Sequence, residues 1–118
     1  MAFDLIDDVF CKIIKKELPA DIIMEGDDWM AIKDISPQAP VHVLIISKKH
    51  FDDLDSFSDS ETDIAGRLLL AANKVADKLK LDRGFRLIIN RGEHSGRLVP
   101  HFHIHLIGGK RLGPKVVS

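Results

Sequence analysis

The chain has 118 residues, 45% of them hydrophobic and 30% charged. That is enough for one hydrophobic core and too little for two independent ones, and it excludes a disordered chain or a membrane protein. Lys plus Arg 17 against Asp plus Glu 18 leaves a formal charge of −1, so no bulk positive field draws in nucleic acid or an anionic membrane, and an anionic ligand must be held by local chemistry. What stands out is six histidines in a chain with one cysteine, one tryptophan and no tyrosine.

The segment Met1 to Asp8 carries three aspartates and no basic residue, which is not the pattern of a secretory signal. Apolar runs such as Val43-Leu44-Ile45-Ile46 fall far short of the ~20 residues of a membrane-spanning helix. A lone Cys11 makes no intrachain disulfide. These features lead us to expect a cytoplasmic protein with neither membrane nor nucleic-acid partners.

A single domain over residues 1–118 is expected, its last nine residues, 110–118, forming a tail. Apolar spacing at Ile6, Phe10, Ile13 and Ile14, with Asp7 and Asp8 early and Lys12, Lys15 and Lys16 late, predicts a short amphipathic helix ended by Leu18-Pro19. A strand over Asp21–Glu25, a turn at Gly26-Asp27-Asp28 and a strand from Trp29 to Lys33 read as a hairpin. Two prolines make Ser36–Pro40 a loop, and Val41–Ser47 follows as a strand. Ser58 and Glu61 form a capping-box pair opening a helix to Lys80, whose buried face is Ile64, Leu68, Ala72, Val75 and Leu79. Gly84 marks its exit turn. Phe85–Asn90 reads as a strand, Arg91–Pro100 as a loop and His101–Gly108 as the last strand. About five strands and two helices with tight connections predict an α+β fold with a mainly antiparallel sheet.

The run Pro100-His101-Phe102-His103-Ile104-His105-Leu106 alternates without a break. In a strand, period two places His101, His103 and His105 on one face and Phe102, Ile104 and Leu106 in the core, with successive imidazoles ~6.6 Å apart. A neutral imidazole is a nucleophile near pH 7, and neighbouring rings discourage one another from charging. An arriving phosphate reverses that preference, and the flanking rings can then stabilise developing charge. The row suits phosphoryl or nucleotidyl transfer through a covalent histidine intermediate. Two alternatives stand beside this reading. Single histidines such as His50 and His94 are ordinarily surface or core residues. Histidines two apart on a strand can also grip zinc, with Asp8, Cys11 and His50 able to complete the site. Against a metal, there is no second thiol and no HExxH motif.

The HxHxH strand closing on Gly108-Gly109, preceded by Asp34-Ile35-Ser36-Pro37-Gln38-Ala39-Pro40, His42 and Lys48-Lys49-His50, resembles the histidine-triad family of nucleotide-binding hydrolases. Its nucleoside phosphoramidase branch is the most similar, over nearly the whole chain from Val9 to Gly109. The resemblance implies a homodimer whose two five-stranded sheets join into one of ten strands. It implies a purine nucleotide substrate, adenosine or guanosine derivatives cleaved at the α-phosphate, and no cofactor or catalytic metal. His103 would be the nucleophile, the carbonyl of His101 would fix its tautomer, His105 would bond a phosphate oxygen and His42 would complete the histidine network. Asp34 would accept from the ribose hydroxyls, and Val9, Phe10, Ile13, Ile32, Ile35 and Leu44 would form the apolar base slot. Asn90 and the amides near Gly96 would face the phosphate. A glutamine at the third triad position marks the uridylyltransferase branch, so His105 favours a hydrolase. Dinucleoside polyphosphate cleavage, or nucleotide binding with incidental hydrolysis, is the alternative that the resemblance carries.

This chain departs from the pattern in three places. Leu98 stands where the branch usually has a serine or threonine, and Arg97 replaces a glutamine, which leads us to expect that Arg97 offers guanidinium donors to the phosphate. Many bacterial members carry a zinc-binding cysteine pair near the amino terminus. Here Asp8 takes the first position and only Cys11 remains, so a full structural zinc site is not expected. The tail lacks the tryptophan of animal relatives.

Overall fold

The computed structural model of the protein describes residues 8–114. Helix α1 spans Val9–Ile14, so the part of the expected first helix around Ile6 lies outside the described residues. The Asp8 side chain caps α1, accepting from the Cys11 amide at 2.9 Å. Strands β1 (Ile22–Glu25), β2 (Trp29–Lys33) and β3 (Val41–Ser47) follow. Helix α2 then covers Thr62–Lys78, and β4 (Phe85–Ile88) and β5 (His103–Gly108) complete the chain. The five strands form one sheet in the order β1-β2-β3-β5-β4, antiparallel throughout. The α+β expectation therefore holds for the protomer.

The β1–β2 turn needs its glycine, because a Cβ on Gly26 would collide with the Trp29 indole. The capping box at Ser58 and Glu61 is present, but it opens a 3-10 turn over Asp59–Glu61, with α2 starting at Thr62. At the other end, the left-handed residue is Lys80, with φ 58°. Gly84 belongs to the next turn, where its amide donates to Leu81 O at 3.1 Å.

Strand alternation divides the apolar residues between the two faces of the sheet. On one face Ala31, Val43, Ile45, Ile104 and Leu106 meet Leu68, Ala71, Ala72 and Val75 of α2. On the other, Phe10 and Ile13 of α1 cover Met30, Ile32, Leu44 and Ile46. Cross-strand partners share a face, so the pairings Leu44↔His105 and Ile46↔His103 put both histidines on the α1 side. Packing of Ile104 and Leu106 against α2 thus holds His103 and His105 outward. Leu106 is fully buried, so Leu106→Ala is expected to cost about 2–5 kcal/mol in a denaturant titration, and a loss well below that range would contradict this packing.

Candidate active site

Ring nitrogens and their partners set the proton positions. The Gln38 amide donates to His42 Nδ1 at 3.0 Å, so the His42 proton sits on Nε2, which lies 2.9 Å from His105 Nδ1. His105 Nδ1 therefore accepts, and its own proton is on Nε2. His103 Nδ1 donates to the His101 carbonyl at 2.7 Å, leaving His103 Nε2 bare. The His103 and His105 ring centroids lie 5.0 Å apart. A bare nitrogen and an N–H donor are thus presented side by side.

Burial lowers the proton affinity of both rings. It pushes His103 below its ordinary value, against the pull of the His101 carbonyl. Burial, reinforced by His103 and His42, pushes His105 down to about 4. Both rings are neutral nucleophiles or donors at neutral pH.

His101 departs from the expected row. The last strand begins at His103, and the His101 ring is fully buried. It is directed to Ser47 O from Nε2 at 2.7 Å and to Asp8 from Nδ1 at 3.0 Å. Only its carbonyl serves the site. Pinning of this segment by other elements explains the departure, since the Phe102 amide donates to Phe51 O at 2.6 Å instead of extending the β3–β5 ladder.

Asp34 Oδ1 accepts from the Ser36 amide at 2.7 Å and Oδ2 lies 3.3 Å from His42 Nε2. The carboxylate therefore both builds the turn and ends the histidine chain. Of the expected slot residues, Phe10, Ile13, Ile32 and Leu44 are buried and packed on one another, and Phe10 sets its ring edge on His103, with centroids 5.2 Å apart. Val9 is exposed, and Ile35 almost wholly so. The pairings His105↔Leu44, Leu44↔Ile32 and Ile32↔Ile22 form a row across the sheet. It ends at a cleft of about 400 Å³ lined by Ile13, Leu18, Ala20 and Ile22, among others.

Asn90 lies two residues beyond Ile88, the partner of His105, and β4 ends before it. Gly96, left-handed at φ 80°, closes a 3-10 turn over Glu93–Ser95. Leu98 is 93% exposed. Arg97 faces Asp52 and Asp53: Nη1 donates to Asp52 O at 2.6 Å and lies 3.3 Å from Asp53 Oδ2. Its charge still reaches His103, whose proton affinity it lowers. The Gln38 amide and the Ser47 carbonyl were not anticipated as partners. Only the proline-bracketed turn before His42 hints at the first.

Asp8, Cys11, His50 and His101 bring donor atoms within 4.8 Å of one another, so the fold gathers the four groups that a metal reading requires. Asp8 Oδ2 is 3.0 Å from His101 Nδ1 and 3.1 Å from His50 Nε2, and Cys11 Sγ is 3.5 Å from His101 Nδ1. With Nε2 committed to Ser47 O, His101 Nδ1 faces a carboxylate, and a positive species between them, a proton or a metal ion, satisfies both. Burial disfavours the doubly protonated ring. One carboxylate, one thiolate and two imidazoles fit a tetrahedral zinc-class ion, and the His101–Ser47 bond matches the outer hydrogen bond of such sites. Bound there, an ion would supply a structural cross-link.

The sequence profile of the HIT domain matches residues 15–112. The chain is 41% identical over 107 residues to the purine nucleoside phosphoramidase of Escherichia coli, with 90% of each covered. It is 45% identical over 109 residues to a 14 kDa zinc-binding protein of Brassica juncea, covering 90% of this chain and 96% of that one. A solved HIT family hydrolase from Clostridium thermocellum superposes with a TM-score of 0.90 at 48% identity, covering 94% and 97% of the two chains. The class defined by this sheet and histidine cluster is that of the HIT domain proteins, and the chain belongs to the HIT family. Among the described residues, no helix is long and apolar enough to cross a membrane.

The His105 environment has a measurable consequence. Between the ordinary histidine value of 6.5 and about 4, the unfolded chain binds a proton at this position and the folded chain does not. Stability contributed here is therefore present above pH 6.5 and lost as pH falls through that window. An NMR titration is expected to give the His105 ring a midpoint near 4, and a midpoint near the ordinary value would contradict the burial and ring neighbours assigned to it.

Proposed function

We propose that this HIT protein hydrolyses purine nucleoside 5′-phosphoramidates, or related acyl and anhydride derivatives, at the α-phosphate through a covalent nucleotidyl-histidine. The observation that carries the reading is the 2.7 Å hydrogen bond from His103 Nδ1 to the His101 carbonyl. It leaves Nε2 bare, in a ring kept neutral by burial. His103 Nε2 bonds to phosphorus, the P–N bond breaks, and its electron pair departs on the amine, which takes up a proton. The imidazolium so formed keeps its Nδ1 proton on the His101 carbonyl. Water then adds to phosphorus and releases to solvent the proton that solvent supplied to the amine, the bond to His103 breaks, and the lone pair returns to Nε2. His105 Nε2–H donates to a phosphate oxygen throughout, and His42 holds His105 in that tautomer. The name of the Clostridium thermocellum relative supports a hydrolase, and that of the Escherichia coli relative supports such substrates.

In this reading the base lies along the row of His105, Leu44, Ile32 and Ile22 toward the cleft beside Ile13, with Val9 and Ile35 at its rim. Asp34 accepts from the ribose hydroxyls while Oδ1 keeps its Ser36 bond. Asn90 and the backbone at Gly96 face the phosphate. No step requires a metal at phosphorus. Two copies join at β4, which has a strand partner on one side only within the protomer. Phe85 and Ile89 beside that edge, and Leu69 and Leu70 on α2, are exposed apolar residues that a second copy would cover. A cytoplasmic location fits the single cysteine and the intact triad chemistry.

Replacing His103 with Ala or Asn is expected to abolish hydrolysis of adenosine 5′-phosphoramidate while AMP affinity stays within about tenfold, a difference of about 1.4 kcal/mol. Retained turnover in either variant would remove the covalent route. At the leaving-group side, the Arg97 charge stands near His103 with one arm tethered to Asp52. Arg97→Gln is expected to lower kcat/KM about tenfold, equivalent to about 1.4 kcal/mol of transition-state stabilisation. Unchanged turnover would show that Arg97 only tethers its loop.

A further inference from the structure

The peptide between His101 and Phe102 carries the carbonyl that holds the His103 proton, and it lies outside the β3–β5 ladder. Its orientation is therefore set by other bonds, from two directions. At one end the His101 ring donates from Nε2 to Ser47 O, and its Nδ1 is tied to Asp8 through the proton or ion between them. At the other, the Phe102 amide donates to Phe51 O at 2.6 Å. Phe51 follows His50, and His50 Nε2 lies 3.1 Å from the same Asp8 oxygen that faces His101. One carboxylate thus touches the anchors of both ends of the peptide. Its other oxygen caps α1, the helix that places Phe10 against the His103 ring.

We propose that Asp8 is a positioning residue for the nucleophile, pinning the His101 ring and the His50–Phe51 segment so that the His101 carbonyl holds the Nδ1 proton of His103. Asp8 does not touch substrate. It acts across 93 residues of sequence, through a backbone carbonyl, on the choice of which His103 nitrogen is bare. Without it the His101 ring keeps only its bond to Ser47 O and the Phe102 amide its bond to Phe51 O, and the His103 ring divides between its two tautomers. The Nε2–H form cannot attack. The idea rests on the nucleotidyl-histidine reading for its catalytic consequence but not for its structural one, and this separates the two tests.

Asp8→Ala and Asp8→Asn are compared with the wild-type chain by two measurements. Ring ¹⁵N NMR on histidine-labelled protein reports the His103 tautomer without any substrate. Steady-state kinetics with adenosine 5′-phosphoramidate separates kcat from KM. In Asp8→Ala the His103 spectrum is expected to change from the Nδ1–H form to a mixture. In the same variant kcat is expected to fall about 10- to 100-fold, the range for outer-sphere positioning groups, with KM little changed. Asp8→Asn keeps the cap of α1 and so guards against simple unfolding; it is expected to show the same tautomer shift to a smaller degree. A pure Nδ1–H spectrum for His103 in both folded variants would overturn the proposal. So would an equal loss in kcat and in folded fraction with no tautomer change. If the wild-type protein turns over no phosphoramidate, the function reading fails, while the NMR comparison still decides the role of Asp8.

Discussion

The hydrogen bond from His103 Nδ1 to the His101 carbonyl decides which nitrogen of that ring carries the lone pair, and the surrounding structure is arranged around keeping it. An imidazole has two equivalent places for one proton, and only an acceptor fixed on one side breaks the tie. A strand in regular pairing would spend that carbonyl on the ladder. Here the ladder begins two residues later, and His101 is turned inward to be held by Ser47 and Asp8. The carbonyl is free of the sheet and still rigid.

The same logic extends to the neighbouring rings. From the Gln38 amide through His42 to His105, each hydrogen bond forces the next tautomer, so a main-chain amide in a proline-bracketed turn determines that His105 carries its proton on Nε2. Burial then keeps His103 and His105 uncharged, most strongly His105. A chain of near-zero net charge can in this way offer an anion oriented N–H groups rather than a basic patch. Two layers of packing support the arrangement. α2 clamps Ile104 and Leu106 from below, and α1 sets Phe10 against His103 from above.

Much of this was legible in the chain because it is local and periodic. Alternation from Phe102 to Leu106 identifies a strand with histidines on one side, and the Ser58–Glu61 pair marks the approach to α2. The misreadings come from interactions that local pattern does not contain. His101 continues the alternation but belongs to a buried polar cluster with Asp8, 93 residues away. His50, which alone reads as an ordinary histidine, joins the same cluster through a turn after β3. The left-handed position after α2 falls on Lys80, so composition misdirects attention to Gly84. Arg97 pairs with two aspartates adjacent in sequence, Asp52 and Asp53, a contact across the loop that local pattern does not contain.

The central claim is that His103 Nε2 bonds to phosphorus. It is tested most directly by rapid quenching of the protein during turnover of adenosine 5′-phosphoramidate, followed by peptide mass spectrometry under conditions that preserve phosphohistidine bonds. The account predicts a nucleotidyl adduct on the peptide containing His103, assigned to that residue by fragmentation and formed fast enough to lie on the reaction path. Turnover with no adduct, or an adduct on another residue, would contradict it.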